Sequence, residues 1–191
     1  MIDRNTILAM MLVIFTSIGT LQADQTNLPA IVIYNVSADL TASRLQVIAA
    51  LWTDGTIVWS PGNAAPLLQG KFSPNQFNAL MTNWEHHGIF TNQSLKQPHL
   101  GPDSSYTVIA IDDGRRHLKM QSWHELFEEN TNLVATANGI IPLNGRNRDD
   151  ILRQQPPDYK NFRQTWSEIR HSIRTLIPEK GEPYHGEIPL R

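Results

Sequence analysis

The segment 121–130, QSWHELFEEN, brings His124, Glu125 and Glu128 within five residues of one another. On a helix, His124 and Glu128 would stand one turn apart. That is the spacing at which two side chains share a metal while an intervening glutamate acts as base. The segment begins like the zinc motif H-E-x-x-H and has Glu128 where the second histidine belongs, so a metal-dependent hydrolase would need another ligand from a distant part of the chain. The same residues have a plainer reading. Ser122 and Glu125 form an S-x-x-E capping box at the start of a short helix, with Glu128 and Glu129 in solvent. This reading requires no missing ligand.

A second set of reactive types lies in 97–105, QPHLGPDSS, which combines His99, Asp103, Ser104 and Ser105. A polar-loop hydrolase could draw base, acid and nucleophile from it. No G-x-S-x-G elbow accompanies them, however, and polar residues ahead of a strand commonly form Asx turns. The remaining histidines have simpler explanations. His86 and His87 suit the negative end of a helix, His117 lies on the outward side of a strand, His171 is off a helical apolar stripe, and His185 is in the tail.

The third candidate is a basic region. Residues 144–175 carry seven Lys and Arg against four acids, with Arg163, Arg170 and Arg174 on one helix. Such a face can meet an acidic protein, an anionic lipid surface or an acidic polysaccharide, though it can also be only the solvated side of a core-packed helix. Residues 83–130 lean acidic, with seven Asp and Glu against four Lys and Arg. The net charge of −2 gives no argument for nucleic acid as a partner. No phosphate-binding loop or dinucleotide fingerprint occurs, because Gly70-Lys71 has neither the spacing nor the following hydroxyl. No cofactor is expected.

The elements that must position these groups are legible in part. Ala30–Tyr34 is β-branched and aromatic and reads as a strand. Arg44–Trp52 and Thr56–Ser60 flank Asp54-Gly55, and Ser105–Ile111 and Arg115–Trp123 flank Asp113-Gly114. Aspartate-glycine between apolar runs is a strong hairpin signal. Val47-Ile-Ala49 and Val108-Ile-Ala110 echo one another ahead of the two turns. Phe72–Ile89 has every helix cue: Ser73 as cap, Pro74 at the first position, Gln76 closing a capping box, and Gly88 to end it. Asn130–Arg148 reads as loop, and Arg148–Gln155 as a turn or two of helix. Asp158 reads as the cap of a second helix whose stripe is Tyr159, Phe162, Trp166, Ile169 and Ile173. The expected fold is α+β, with a mainly antiparallel sheet built from two hairpins and packed on one face by two amphipathic helices. Trp84 and Trp166 are expected in a shared core, and Trp123 as a core anchor.

The N-terminal residues 1–23 combine Arg4, an apolar run Ile7–Phe15 and a small residue at Ala23, the pattern of a signal peptide. They predict a secreted or periplasmic protein that meets a membrane only during export, or through an uncleaved anchor. The 191 residues include no cysteine, which removes disulfides, thiol catalysis and thiolate zinc sites. Residues 24–178 are expected to form a single domain, followed by a Pro/Gly-rich tail at 179–191.

The order LWTDGTIVWS, GKFSPNQFNALMTNWEHHGIF, GPDSSYTVIAIDDGRRHLKMQSWHELFEEN and QQPPDYKNFRQTWSEIR resembles an uncharacterised family of exported bacterial proteins of the planctomycete type, over Leu45–Ile177. The resemblance implies export and a single α+β domain, and carries no activity, cofactor or site residue. The expected function is a non-enzymatic binding or interaction module, with a hydrolase centred near His124 or His99 as the alternative.

Overall fold

The structure is a computed structural model that describes residues 28–37, 44–62, 65–101 and 105–190. The expected signal segment, Asp103 and Ser104 lie outside the described residues. The fold is α+β: a seven-stranded sheet in the order β6-β5-β1-β2-β3-β4-β9, with every pairing antiparallel, and a separate two-stranded sheet β7-β8. The strands are β1 (Ile31–Ser37), β2 (Arg44–Leu51), β3 (Thr56–Trp59), β4 (Leu68–Lys71), β5 (Tyr106–Asp112), β6 (His117–Ser122), β7 (Leu133–Thr136), β8 (Gly139–Pro142) and β9 (Glu182–Pro183). The helices are α1 (Pro74–His86), α2 (Arg148–Arg153) and α3 (Pro157–Arg174). Short 3-10 turns cover Gln93–Lys96 and His124–Phe127.

β1 lies at the centre because it is apolar on both faces. Ile31 and Ile33 join the core beneath the helices, while Val32 and Tyr34 join a smaller cluster on the opposite face. The two aspartate-glycine hairpins flank it. Val47 of β2 and Val108 of β5 both stand opposite Tyr34, so the sequence echo marks equivalent positions on either side of the central strand. The equivalence is broken by a register shift between Ile33 and Tyr34 on the β2 side. Gly55, at φ +84, allows the first turn, and an added Cβ there would meet the Phe72 carbonyl at 2.3 Å.

α1 forms as its sequence dictates. Gln76 Oε1 accepts the Ser73 N–H at 3.0 Å, and Ser73 Oγ accepts the Asn75 N–H at 3.3 Å. At its end the Ile89 N–H bonds Trp84 O at 3.1 Å and the Gly88 N–H bonds Glu85 O at 3.0 Å, which closes the helix around a left-handed Gly88. Phe77, Met81 and Trp84 of α1 meet Phe162, Trp166, Ile169 and Ile173 of α3 in one core on the same sheet face. Trp84 and Trp166 are both buried there, as the helical spacing requires.

Four local expectations need correction. Asp158 does not cap α3; Pro156 occupies that position without a side-chain bond, and Asp158 lies in the first turn. The second position still favours a carboxylate, through the helix dipole. The segment 130–148 is not simply loop, since Leu133–Thr136 and Gly139–Pro142 pair as a hairpin. β4 carries too little apolar pattern to be read as a strand, and is held by pairing to β3 on one side and β9 on the other. The tail therefore adds a strand: Glu182 and Pro183 pair with β4, after which Ile188 and Leu190 reach the outer face of the sheet. Pro183 supplies no N–H, which suits an edge. None of the helices among the described residues is long and apolar enough to cross a membrane.

Candidate functional site

β6 delivers Ser122 into the interior, and the chain turns at Trp123 so that His124 points back beneath α3. The capping box expected of Ser122 and Glu125 does not form. The 3-10 turn begins at His124 with no side-chain cap from Trp123, and Glu125 is engaged elsewhere. Ser122 Oγ accepts the His124 backbone N–H at 3.2 Å and lies 2.7 Å from His124 Nδ1. Oγ and Nδ1 thus share one hydrogen bond, whose direction follows the imidazole tautomer. Nε2 faces Glu128 Oε1 at 3.6 Å, too far for a hydrogen bond, and has no other partner among the described residues. The imidazole is 1% exposed and sits edge-on to Phe162 and Trp166, with centroids 6.0 and 5.2 Å away. Burial, reinforced by the Arg163 and His99 charges, lowers its pKa to about 3.

His99 arrives from the other candidate loop. Its N–H bonds Gln121 O at 3.0 Å and its carbonyl accepts the Trp123 N–H at 3.2 Å, so the loop runs alongside the end of β6. Its ring stands edge-on to Tyr159 and Phe162, at 4.8 and 4.5 Å. Burial lowers its pKa as well. The two histidines, 25 positions apart in the sequence, thus share Phe162 as a common wall.

The acidic turn and the basic helix are joined by ion pairs. Arg170 Nε donates to Glu125 Oε1 at 2.8 Å, and Arg163 donates to Glu128 Oε1 at 3.2 Å. Arg163 also stands over the Tyr159 ring, 6.0 Å from its centroid. Burial raises the pKa of Glu128, and Arg163 opposes that rise. Glu128 is thus exposed, as the sequence suggested, but paired. Arg163 and Arg170 are only about one-fifth exposed, at 20% and 21%. They do not form the solvated face their composition suggested.

These contacts decide what the cluster can do. Of His124, Glu125 and Glu128, the first and last approach each other, with Nε2 3.6 Å from Glu128 Oε1, while Glu125 is held by Arg170. No group of three or more potential ligands comes together among the described residues. Ser122–His124–Glu128 is ordered like a relay, yet Ser122 is fully buried and presents no nucleophile at a surface. What remains accessible is a cleft of about 180 Å³ between the acidic turn and the C-terminal half of α3. It is lined by Glu125, Glu128, Trp166, Ser167, Arg170, His171 and Arg174. A second cleft, of about 240 Å³, runs from Pro98–Gly101 past Trp123 to the β7–β8 turn. Trp123 is roofed there by Gly101, where an added Cβ would lie 1.7 Å from the indole.

Two residues of this assembly have structural roles that the sequence did not indicate. Arg148 donates to the carbonyls of Phe127 and Leu133 at 2.8 and 2.9 Å and also to that of Asn130, tying the acidic turn to β7. Its partners are backbone atoms, which leave no side-chain pattern to read. Tyr159, known only as a stripe residue, donates to Ala135 O at 3.2 Å. Arg148→Ala should lower stability by about 2–3 kcal/mol, because a half-buried guanidinium loses several charge-assisted bonds. Urea unfolding measures this, and a loss below about 0.5 kcal/mol, the range of an ordinary surface substitution, would show that the tie is dispensable.

No protein-family model matches the chain, and no curated protein matches it in sequence.

Proposed function

We propose that the chain is an exported, non-enzymatic bacterial binding module that takes an anionic partner along one side of α3. The observation that carries this reading is a second stripe on the helix. Lys160, Arg163, Ser167, Arg170 and Arg174 repeat the spacing of Tyr159, Phe162, Trp166, Ile169 and Ile173, one residue later. A one-residue offset on a helix is a rotation of about 100°, so the polar stripe runs beside the buried seam. It runs over 15 residues, about 21 Å at the helical rise. Glu125 and Glu128 engage the central arginines. Four cations thus face two carboxylates, leaving net positive charge at the ends.

The sealed Ser122–His124 pair supports binding over hydrolysis. Export is supported by the apolar run Ile7–Phe15 and Ala23, and by the resemblance to exported bacterial proteins. A secreted or periplasmic location follows from that reading. The test is retention of purified protein on a polyanionic matrix as salt is raised. Lys160→Glu with Arg174→Glu should move elution to markedly lower salt with the melting temperature unchanged. Arg163 and Arg170 are poor choices for this test, since reversing them also breaks the pairs with Glu128 and Glu125. Unchanged elution of the double variant would sink the reading.

A further inference from the structure

We infer that the cleft at the C-terminal half of α3 is a subsite for an acidic sugar, one carboxylate-bearing ring of a uronate-type polysaccharide. The inference rests on the anion-binding reading above and names its ligand. Ser167, Arg170, His171 and Arg174 fall at positions i, i+3, i+4 and i+7 and therefore share one helix face. Arg170 is fixed by Glu125, which occupies its Nε and leaves the terminal nitrogens of the fork uncommitted. Ser167, His171 and Arg174 are exposed, and their side chains enter no hydrogen bond or ion pair among the described residues. This wall offers donors and positive charge, and suits a carboxylate.

The opposite wall has the reverse character. Glu128 is 43% exposed, and only its Oε1 is engaged. Its Oε2 takes no hydrogen bond among the described residues. Glu125 Oε2 is a buried acceptor with no donor among the described residues. A ligand that fills both walls must carry one anionic group and, close to it, hydroxyl donors. A sugar acid has this combination. A phosphate dianion or a densely sulfated chain has not: its extra charge would face two glutamates and the negative end of the α3 dipole. A bilayer surface fits less well again, because the site is concave and polar and offers no apolar rim for insertion.

The experiment titrates purified full-chain protein with de-esterified oligogalacturonate by calorimetry. Parallel arms use the methyl-esterified oligomer, dextran sulfate and anionic phospholipid vesicles. The expected result is saturable binding of the free uronate, at least tenfold weaker binding of the methyl ester and of dextran sulfate, and a tenfold loss in Arg174→Ala/His171→Ala. Both residues are exposed, so thermal melting of that variant should match the wild type. Uronate binding unchanged in the double variant would overturn the site. Dextran sulfate or vesicles binding as well as the uronate would overturn the sugar assignment and leave the anion-binding reading standing. No binding in any arm would overturn both.

Discussion

Lowering the pH from 6.5 to about 3 should destabilise the folded protein by about 4 kcal/mol through His124 alone, and His124→Phe should remove that loss. The unfolded chain binds a proton at His124 with the ordinary pKa of 6.5, whereas the fold holds the group to about 3. Between these values the unfolded state carries the proton and the native state does not, so stability rises with pH. The contribution is complete above 6.5, declines as pH falls and levels off below about 3. His99 acts in the same sense, since burial lowers its pKa too. Glu128 acts in the opposite sense: its raised pKa gives stability at low pH that is lost as pH rises through the folded value. Asp54 and Asp113 are held low by hydrogen bonds and by Lys71 and Arg116, so their stability is lost only below the ordinary carboxylate range. The histidine component is therefore cleanest in the upper half of the window. Urea midpoints measured across it should slope steeply in the wild type and much less in His124→Phe. The variant should lose about 1–3 kcal/mol at neutral pH, because the buried Ser122 hydroxyl is left without its ring partner. An unchanged slope would mean that water reaches the imidazole and that the site is not sealed.

Trp166→Ala should cost about 3–5 kcal/mol, the range for removing a large buried aromatic side chain. The residue is 1% exposed and contacts both Phe162 and the His124 ring. Its second effect is more specific. The vacated space adjoins His124 and opens toward the cleft that Trp166 lines. Water entering there would solvate the imidazolium and return the pKa toward 6.5, so the acid slope should shrink together with the stability. Trp84→Ala is the matched control. Trp84 is equally buried in the same core, but its ring has no contact with His124. It should lose a similar amount of stability and keep the acid slope. Equal slopes in the two variants would show that Trp166 contributes only volume.

Elements with local causes were legible in the sequence. α1 is specified by Ser73, Gln76 and Gly88, and each of these acts on backbone groups within a few residues of itself. The two hairpins are specified by glycines that accept positive φ between apolar runs. β4 and β9 have no such local cause and exist because neighbouring strands offer them bonds. The candidate site divides along the same line. Residue types marked His99, His124, Glu125, Glu128, Arg163 and Arg170 as the groups worth locating, but their spacing suggested two separate sites and a solvated basic face. Ser122 looked like a cap, because sequence records its type and not the direction of its hydroxyl.

The sequence by itself determined the α+β class, the central apolar strand, the two turns and the buried stripe of α3. Periodicity and turn chemistry are properties of neighbouring residues, and neighbours remain neighbours in the unfolded chain. Only the tertiary structure decided that the His99 loop and the His124 turn meet at Phe162. Only it decided that Glu125 and Glu128 take the arginines of a helix more than 30 positions away. Burial is a collective result of packing. It is burial that turns His124 from a candidate ligand into a neutral, sealed side chain, and leaves the cleft beside it as the accessible polar surface.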